Sequence, residues 1–172
     1  MKQTVLILLA FLLLTVTASS QESSDPYIKG YKGGYEFFFF DSINKLYVSE
    51  LACLDSMYHC FVTFKVGVNA NITDFQVVEI PISKLPPLVK TYLEKVFKAS
   101  NGNWIPKIKE GSNVVSDEIV YRIDIAKENQ SIKESMAESE RFAEYFLVVA
   151  PSDTIINKLV RAKDWKWLGI RY

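Results

Sequence analysis

Cys60, Val62, Phe64 and Val66 occupy alternate positions, with Phe61, Thr63 and Lys65 between them. A period of two is the spacing of a β-strand, so the first set faces a core and the second is the more exposed. A turn at Asn69, Ala70 and Asn71 leads into a second run, Ile72 to Ile80, with Phe75 and Val77 on one side and Pro81 at its end. Two such runs so closely joined pair as an antiparallel hairpin, and every other element must serve to cover its apolar face.

Helical periodicity flanks the hairpin. Order is expected to begin at Tyr35, because the run Phe37 to Phe40 is too apolar to remain in water. Ile43, Leu46, Tyr47, Glu50, Leu51 and Leu54 then recur at three- and four-residue steps, with Ser42 placed to cap them, which predicts a helix from about Ser42 to Leu54. Pro86 and Pro87 suit the first turn of a second helix whose inward face is Leu88, Tyr92, Leu93, Val96 and Phe97, and Asn101 and Gly102 end it. Trp104 and Pro106 come next, then a turn at Glu110 and Gly111. Glu118 to Ala126 alternates again, Ile119, Tyr121, Ile123 and Ile125 against Val120, Arg122 and Asp124.

The two ends have different compositions. Lys2 precedes an almost wholly apolar run from Val5 to Ala18, and small residues stand at Ala18, Ser19 and Ser20. This reads as a secretory signal peptide over residues 1–20, the competing reading being an uncleaved anchor, for which the run is short. Residues 21–34 read as a flexible polar leader, 35–126 as the domain, and 127–172 as a C-terminal extension, partly helical or mobile. Within that extension, residues 127–144 are rich in Glu, Ser and Lys, Phe146 to Ala150 are apolar, and Ser152 or Asp153 is placed to cap a short helix through Leu159. The last stretch, Lys158 to Arg171, is basic, with Trp165 and Trp167 interleaved. Those tryptophans and Leu168 are expected to fold back on the domain while the lysines face water.

Charge and cysteine content narrow the chemistry. The chain holds 20 Lys and Arg against 20 Asp and Glu, so loss of Lys2 with the leader leaves about one net negative charge. The whole molecule attracts neither nucleic acid nor an anionic membrane surface. In an oxidising compartment Cys53 and Cys60 can bridge, the alternative being two small buried apolar side chains. His59 is the sole histidine, and with two cysteines so close in sequence it does not make a metal site. Neither a Gly-x-Ser-x-Gly elbow, a phosphate loop, a dinucleotide-binding glycine pattern nor a zinc helix is present. His59 and Cys60 point to opposite faces of a strand, and so do Asp117 and Glu118. No catalytic residue, metal ligand or cofactor is therefore assigned. Asn71-Ile72-Thr73 and Asn129-Gln130-Ser131 match the glycosylation acceptor pattern, relevant only to eukaryotic secretion.

Taken in order, Tyr47, Val62-x-Phe64-x-Val66, the turn at Asn69-Ala70, Ile72-x-Asp74, Val77-Val78, the helix Leu88 to Phe97, Gly102-Asn103-Trp104-Ile105-Pro106 and the strand Glu118 to Ile125 resemble the C-terminal domain of TonB, especially the small exported TonB-C-like proteins of the Gram-negative envelope. The chain departs from that pattern at Val48, where proline is usual, and at Tyr58 and Ala70, where glycine is usual. It also lacks the transducer's proline-rich spacer. The resemblance implies an α+β fold, a small antiparallel sheet with two helices packed on one face. It further implies a periplasmic or extracellular, non-enzymatic binding or scaffold module whose partner is an envelope protein or extended peptide segment, added as a strand to a sheet edge. The edge so implied is Glu118, Val120, Arg122 and Asp124 with Tyr47 beside it. Two other readings stand against it: charges there guard the edge, or the tail covers it. A secreted small enzyme or inhibitor on a similar layout is the alternative function.

Overall fold

The computed structural model describes residues 25–31, 34–54, 56–81, 83–127, 155, 158 and 166–172. In chain order the elements are β1 (Tyr27–Ile28), α1 (Tyr35–Phe38), a π-turn (Phe39–Asn44), α2 (Lys45–Tyr47), a 3₁₀ turn (Val48–Leu51), β2 (Tyr58–Val66), β3 (Ile72–Glu79), α3 (Pro87–Lys98), β4 (Trp104–Ile105), β5 (Lys107–Lys109), β6 (Ser112–Val114), β7 (Ile119–Ala126) and β8 (Lys166–Arg171). The signal-peptide stretch and most of the C-terminal extension, Trp165 included, lie outside the described residues.

The first helical stretch starts at Tyr35 rather than Ser42. Ser42 caps nothing: its hydroxyl lies 2.9 Å from that of Tyr31. The apolar positions explain the early start, since Tyr35, Phe38, Phe39 and Ile43 are all buried on one side. A π-turn inserts an extra residue per turn and rotates the residues beyond it. Leu46, beyond the turn, is left on the surface, and so are Phe37 and Phe40 on the side opposite the buried rings.

Part of the expected leader is also structural. β1 pairs antiparallel with β4, Ile28 opposite Trp104, and Ile28 is fully buried in the core. One buried isoleucine side chain contributes about 1.5–3 kcal/mol, enough to hold a short polar segment against the domain.

The hairpin of β2 and β3 forms as the alternation predicts, with Val62 opposite Val77 and a register break between Thr63 and Lys65. β7 pairs antiparallel on the other side of β2, Cys60 opposite Ile123 and Val62 opposite Tyr121. β8 then adds to β7 in parallel, Ile123 opposite Leu168 and Ile125 opposite Ile170. The order β3-β2-β7-β8 is thus a mixed sheet, not the purely antiparallel one expected. Short pieces, β1 with β4 and β5 with β6, flank it.

α3 and the helical stretch cover one face. Pro86 stands just before α3 and Pro87 opens it, and the helix buries Val89, Tyr92, Leu93, Val96 and Phe97. Val89 takes the inward place expected of Leu88, which is half-buried. Tyr35 stacks on Phe97 and Trp104, with ring centroids 4.8 and 5.8 Å apart, and meets Tyr121 edge-on. Trp104 Nε1 donates to Ser100 Oγ at 2.9 Å, and that hydroxyl donates to the Phe97 carbonyl at 2.6 Å. The Ser100 hydroxyl thus bonds a carbonyl of the last turn of α3, which also accepts the Ser100 N–H, and the indole anchors Trp104 to that hydroxyl.

The opposite face of the sheet is buried as well. Phe61 and Thr63, expected to be the more exposed set on β2, are 2% and 3% exposed, and Val120 on β7 is 6% exposed. At the β2–β3 turn Ala70 has a φ of 64°, a left-handed conformation that its Cβ disfavours by roughly 1–2 kcal/mol. Ala70→Gly relieves that strain at the expense of a more flexible unfolded chain, so a net gain of about 0.5–1 kcal/mol is expected in urea unfolding.

Candidate functional site

Backbone direction decides which edges of the sheet are open. Val66 N–H donates to Ser116 Oγ and Val66 C=O accepts from Ser116 N–H, so Val66 faces the β7 side. His59 N–H donates to Ser83 Oγ, and Gly67 N–H to the Asn71 carbonyl, on the β3 side. Alternation along β2 then points Cys60, Val62 and Phe64 toward β7, and Phe61 and Thr63 toward β3. Consequently Ile119, Tyr121, Ile123 and Ile125 bond to β2, while Val120, Arg122, Asp124 and Ala126 turn their peptide groups the other way.

That other side is where β8 lies. Its register covers Tyr121 to Ala126, and Tyr172 N–H donates to the Ala126 carbonyl. The edge expected at Glu118, Val120, Arg122 and Asp124 is therefore closed over Arg122 and Asp124 by the chain's own C-terminal strand. Glu118 stands outside the pairing, its carboxylate 3.6 Å from Lys158 Nζ, and the Val120 side chain is buried. Tyr47 is not beside this strand. It lies on the helical side, where Lys95 Nζ sits 4.7 Å from its ring centroid, and Lys95 also pairs with Glu50.

Among the described residues the open antiparallel edge is β3. Phe61 and Thr63 pair with Val78 and Gln76. Val77 and Glu79 accordingly turn their peptide groups outward, and the register break falls at Asp74, φ 53°, and Phe75. Asn101 Oδ1 accepts the Ile72 N–H at 2.8 Å, which closes the strand's first position. Phe75 and Val77 place half-buried apolar side chains against the core, the Phe75 ring 5.7 Å from that of Phe97. Glu79 accepts from Leu85 N–H at 2.9 Å and pairs with Lys90 at 3.1 Å. These bonds outweigh desolvation and hold its carboxyl below the ordinary value.

A polar cluster crosses the sheet's second face. Asp124 Oδ1 lies 2.7 Å from His59 Nδ1 and accepts from Arg122 Nε at 3.2 Å, while Oδ2 accepts from Trp167 Nε1 at 2.6 Å. Burial pushes the Asp124 carboxyl up, but the bonds from His59 and Trp167 and the charge of Arg122 outweigh it, leaving the carboxyl below its ordinary range. One carboxylate thereby ties β2, β7 and β8 together. A carboxylate on an imidazole nitrogen is also the way a general base is oriented. The neighbouring thiol is not its nucleophile, because Cys60 points to the helical face and burial, with Asp124 and Glu79, pushes its pKa strongly up.

Cys53 is exposed and Cys60 buried, and both are free thiols. The bridge allowed by their spacing is absent because β2 turns Cys60 into the core while Cys53 sits on the surface. Among the described residues no group of three or more His, Cys, Asp or Glu is placed to hold a metal ion, and no helix is long and apolar enough to cross a membrane. Of the cluster, the sequence points to Arg122 and Asp124, and only for their backbones. It does not join His59 and Trp167 to them, since only the pairing of three separated strands brings the four together.

Comparison with family models, with curated proteins and with solved structures gives no match to this chain.

Proposed function

We propose that this protein is a non-enzymatic binding or scaffold module of the bacterial envelope, exported to the periplasm or beyond, which takes up an extended segment of a partner as an added strand. The observation that carries the reading is the β3 edge. Val77 and Glu79 present outward N–H and C=O groups at the end of the described sheet order. An extended peptide aligned there gains main-chain hydrogen bonds, and the half-buried Phe75 and Val77 supply apolar contacts for its alternate side chains. The ordered motifs from Tyr47 to Ile125, which resemble the TonB C-terminal domain, support the envelope setting and the choice of an extended peptide.

Val77→Pro tests it, because proline removes the outward donor without removing a bond to β2. With peptides from the N-terminal segments of outer-membrane receptors as probes, Val77→Pro is expected to weaken binding at least about tenfold, one to two main-chain bonds' worth. Val77→Ala, which keeps the N–H, controls for lost packing and is expected to bind nearly as the unsubstituted chain does. Equal binding by a folded Val77→Pro chain would contradict the proposal.

A further inference from the structure

Trp167 is the largest side chain left on the surface of β8, and its ring is held from two sides. Leu168 and Ile170 are buried in the core, so alternation puts Trp167, Gly169 and Arg171 together on the opposite face of the sheet. The indole lies across Gly169, so closely that a Cβ at residue 169 would stand 2.7 Å from two of its carbons. Its Nε1 donates to Asp124 Oδ2 at 2.6 Å. One ring face is thus seated on backbone, while the side chain as a whole stays 55% exposed, which leaves the other face open to water. So exposed a ring adds little to the core, and the glycine kept beneath it weakens the strand. The charges beside the ring are uneven. Arg122 stands opposite Trp167 in the β7–β8 register, its Nε on Asp124 at 3.2 Å. Arg171, the next residue on this face beyond Gly169, lies about 7 Å further along the strand. It is exposed, and among the described residues no carboxylate pairs with it. Asp124 answers Arg122, which leaves Arg171 as an uncompensated cation on this face.

We propose that Trp167 and Arg171 form a binding site for an acidic glycan, a chain of pyranose rings that carry carboxylates. The C–H groups on one side of such a ring bear partial positive charge and lie flat on the negative π face of the indole. The carboxylate at the rim of the ring accepts from the Arg171 guanidinium, whose planar fork suits two oxygens at once. Little freedom is lost on binding, because the Gly169 seat and the Asp124 bond already hold the indole in place. A neutral sugar would use the ring alone and an acidic peptide the arginine alone, whereas a sugar acid uses both. Nothing here depends on the β3 reading, because β3 and β8 are at opposite ends of the sheet order.

The probe is tetragalacturonate, an oligomer of uronic acid rings, titrated into the full chain. Binding is read by NMR, from the signals of the sugar and from the indole N–H of Trp167, which is expected to shift progressively. Two control ligands separate the contacts: the methyl ester of the same oligomer keeps the rings without the charge, and tetraglutamate keeps the charge without the rings. Each is expected to bind at least about fivefold more weakly than tetragalacturonate. Arg171→Gln, a change at an exposed side chain, is expected to weaken the acid about fivefold and to erase its advantage over the ester. Trp167→Ala is expected to abolish binding of the sugar, with circular dichroism to check that it folds. Val77→Pro leaves the affinity for the sugar unchanged, which separates this site from the β3 edge. An indole signal that stays still at millimolar sugar, an ester or a tetraglutamate that binds as tightly as the acid, or full binding by Arg171→Gln or by folded Trp167→Ala overturns the proposal.

Discussion

Replacing Phe97 with alanine is expected to remove about 3–5 kcal/mol of stability, the range for emptying a large aromatic site in a core that cannot collapse around it. Four rings meet Phe97: Tyr35 stacked at 4.8 Å, Phe64 at 5.5 Å, Phe75 at 5.7 Å and Tyr121 at 5.9 Å between centroids. They arrive from the first helical stretch and from β2, β3 and β7, so one truncation loosens the contact of α3 with the whole helical face of the sheet. Neighbouring aromatic rings are stiff and hold their positions, which leaves a cavity instead of a repacked core. Urea unfolding at neutral pH should show a much lower midpoint with little change of slope. A loss below about 1 kcal/mol would mean that the helical face is not packed around this ring.

Asp124→Ala is the second large effect, with an expected loss of about 2–3 kcal/mol, because His59, Arg122 and Trp167 all lose one acceptor at a mostly buried point. Its pH dependence has a definite sign. The carboxyl is held below its ordinary value in the folded chain, so its contribution is fully present above about pH 3.9, where the unfolded carboxyl is ionised, and is lost as pH falls through the folded value. The stability gap between the unsubstituted chain and Asp124→Ala should therefore be widest near neutrality and narrow on acidification to about pH 3. Urea unfolding of both proteins at the two pH values measures it. A gap that stays constant would show that Asp124 holds the strands without its charge.

How much of this fold is legible in the sequence depends on the range over which each signal acts. The β2–β3 hairpin, α3 and β7 are local: a period of two in Cys60, Val62, Phe64 and Val66, a helical period in Tyr92, Leu93, Val96 and Phe97, and prolines at the helix start each act within a few residues. The π-turn is not legible, because Phe39 and Ile43 fit an ordinary helix equally well until Tyr35 and Phe38 are known to share their buried side. Ile28 is hidden in the same way, as a single apolar residue in polar surroundings whose seat beneath Trp104 is supplied from far along the chain. β8 is the instructive miss. Trp167 and Leu168 are expected to fold back on the domain, and a covering tail stands among the readings of the β7 edge, but a strand does not, because parallel pairing across so long a separation leaves no turn to announce it. Without β8 the open edge is misplaced, since Arg122 and Asp124 look like edge residues only while their neighbour strand is unknown.

Which edge of the sheet is open decides where a partner strand can add, and amide hydrogen exchange on the full chain reads it residue by residue. Slow exchange is expected at Arg122, Asp124 and Ala126, whose peptide groups face β8, and fast exchange at Val77 and Glu79, whose groups face outward from β3. Fast exchange at Arg122 and Asp124 together with protection at Val77 and Glu79 would contradict it, and would return the open edge to β7.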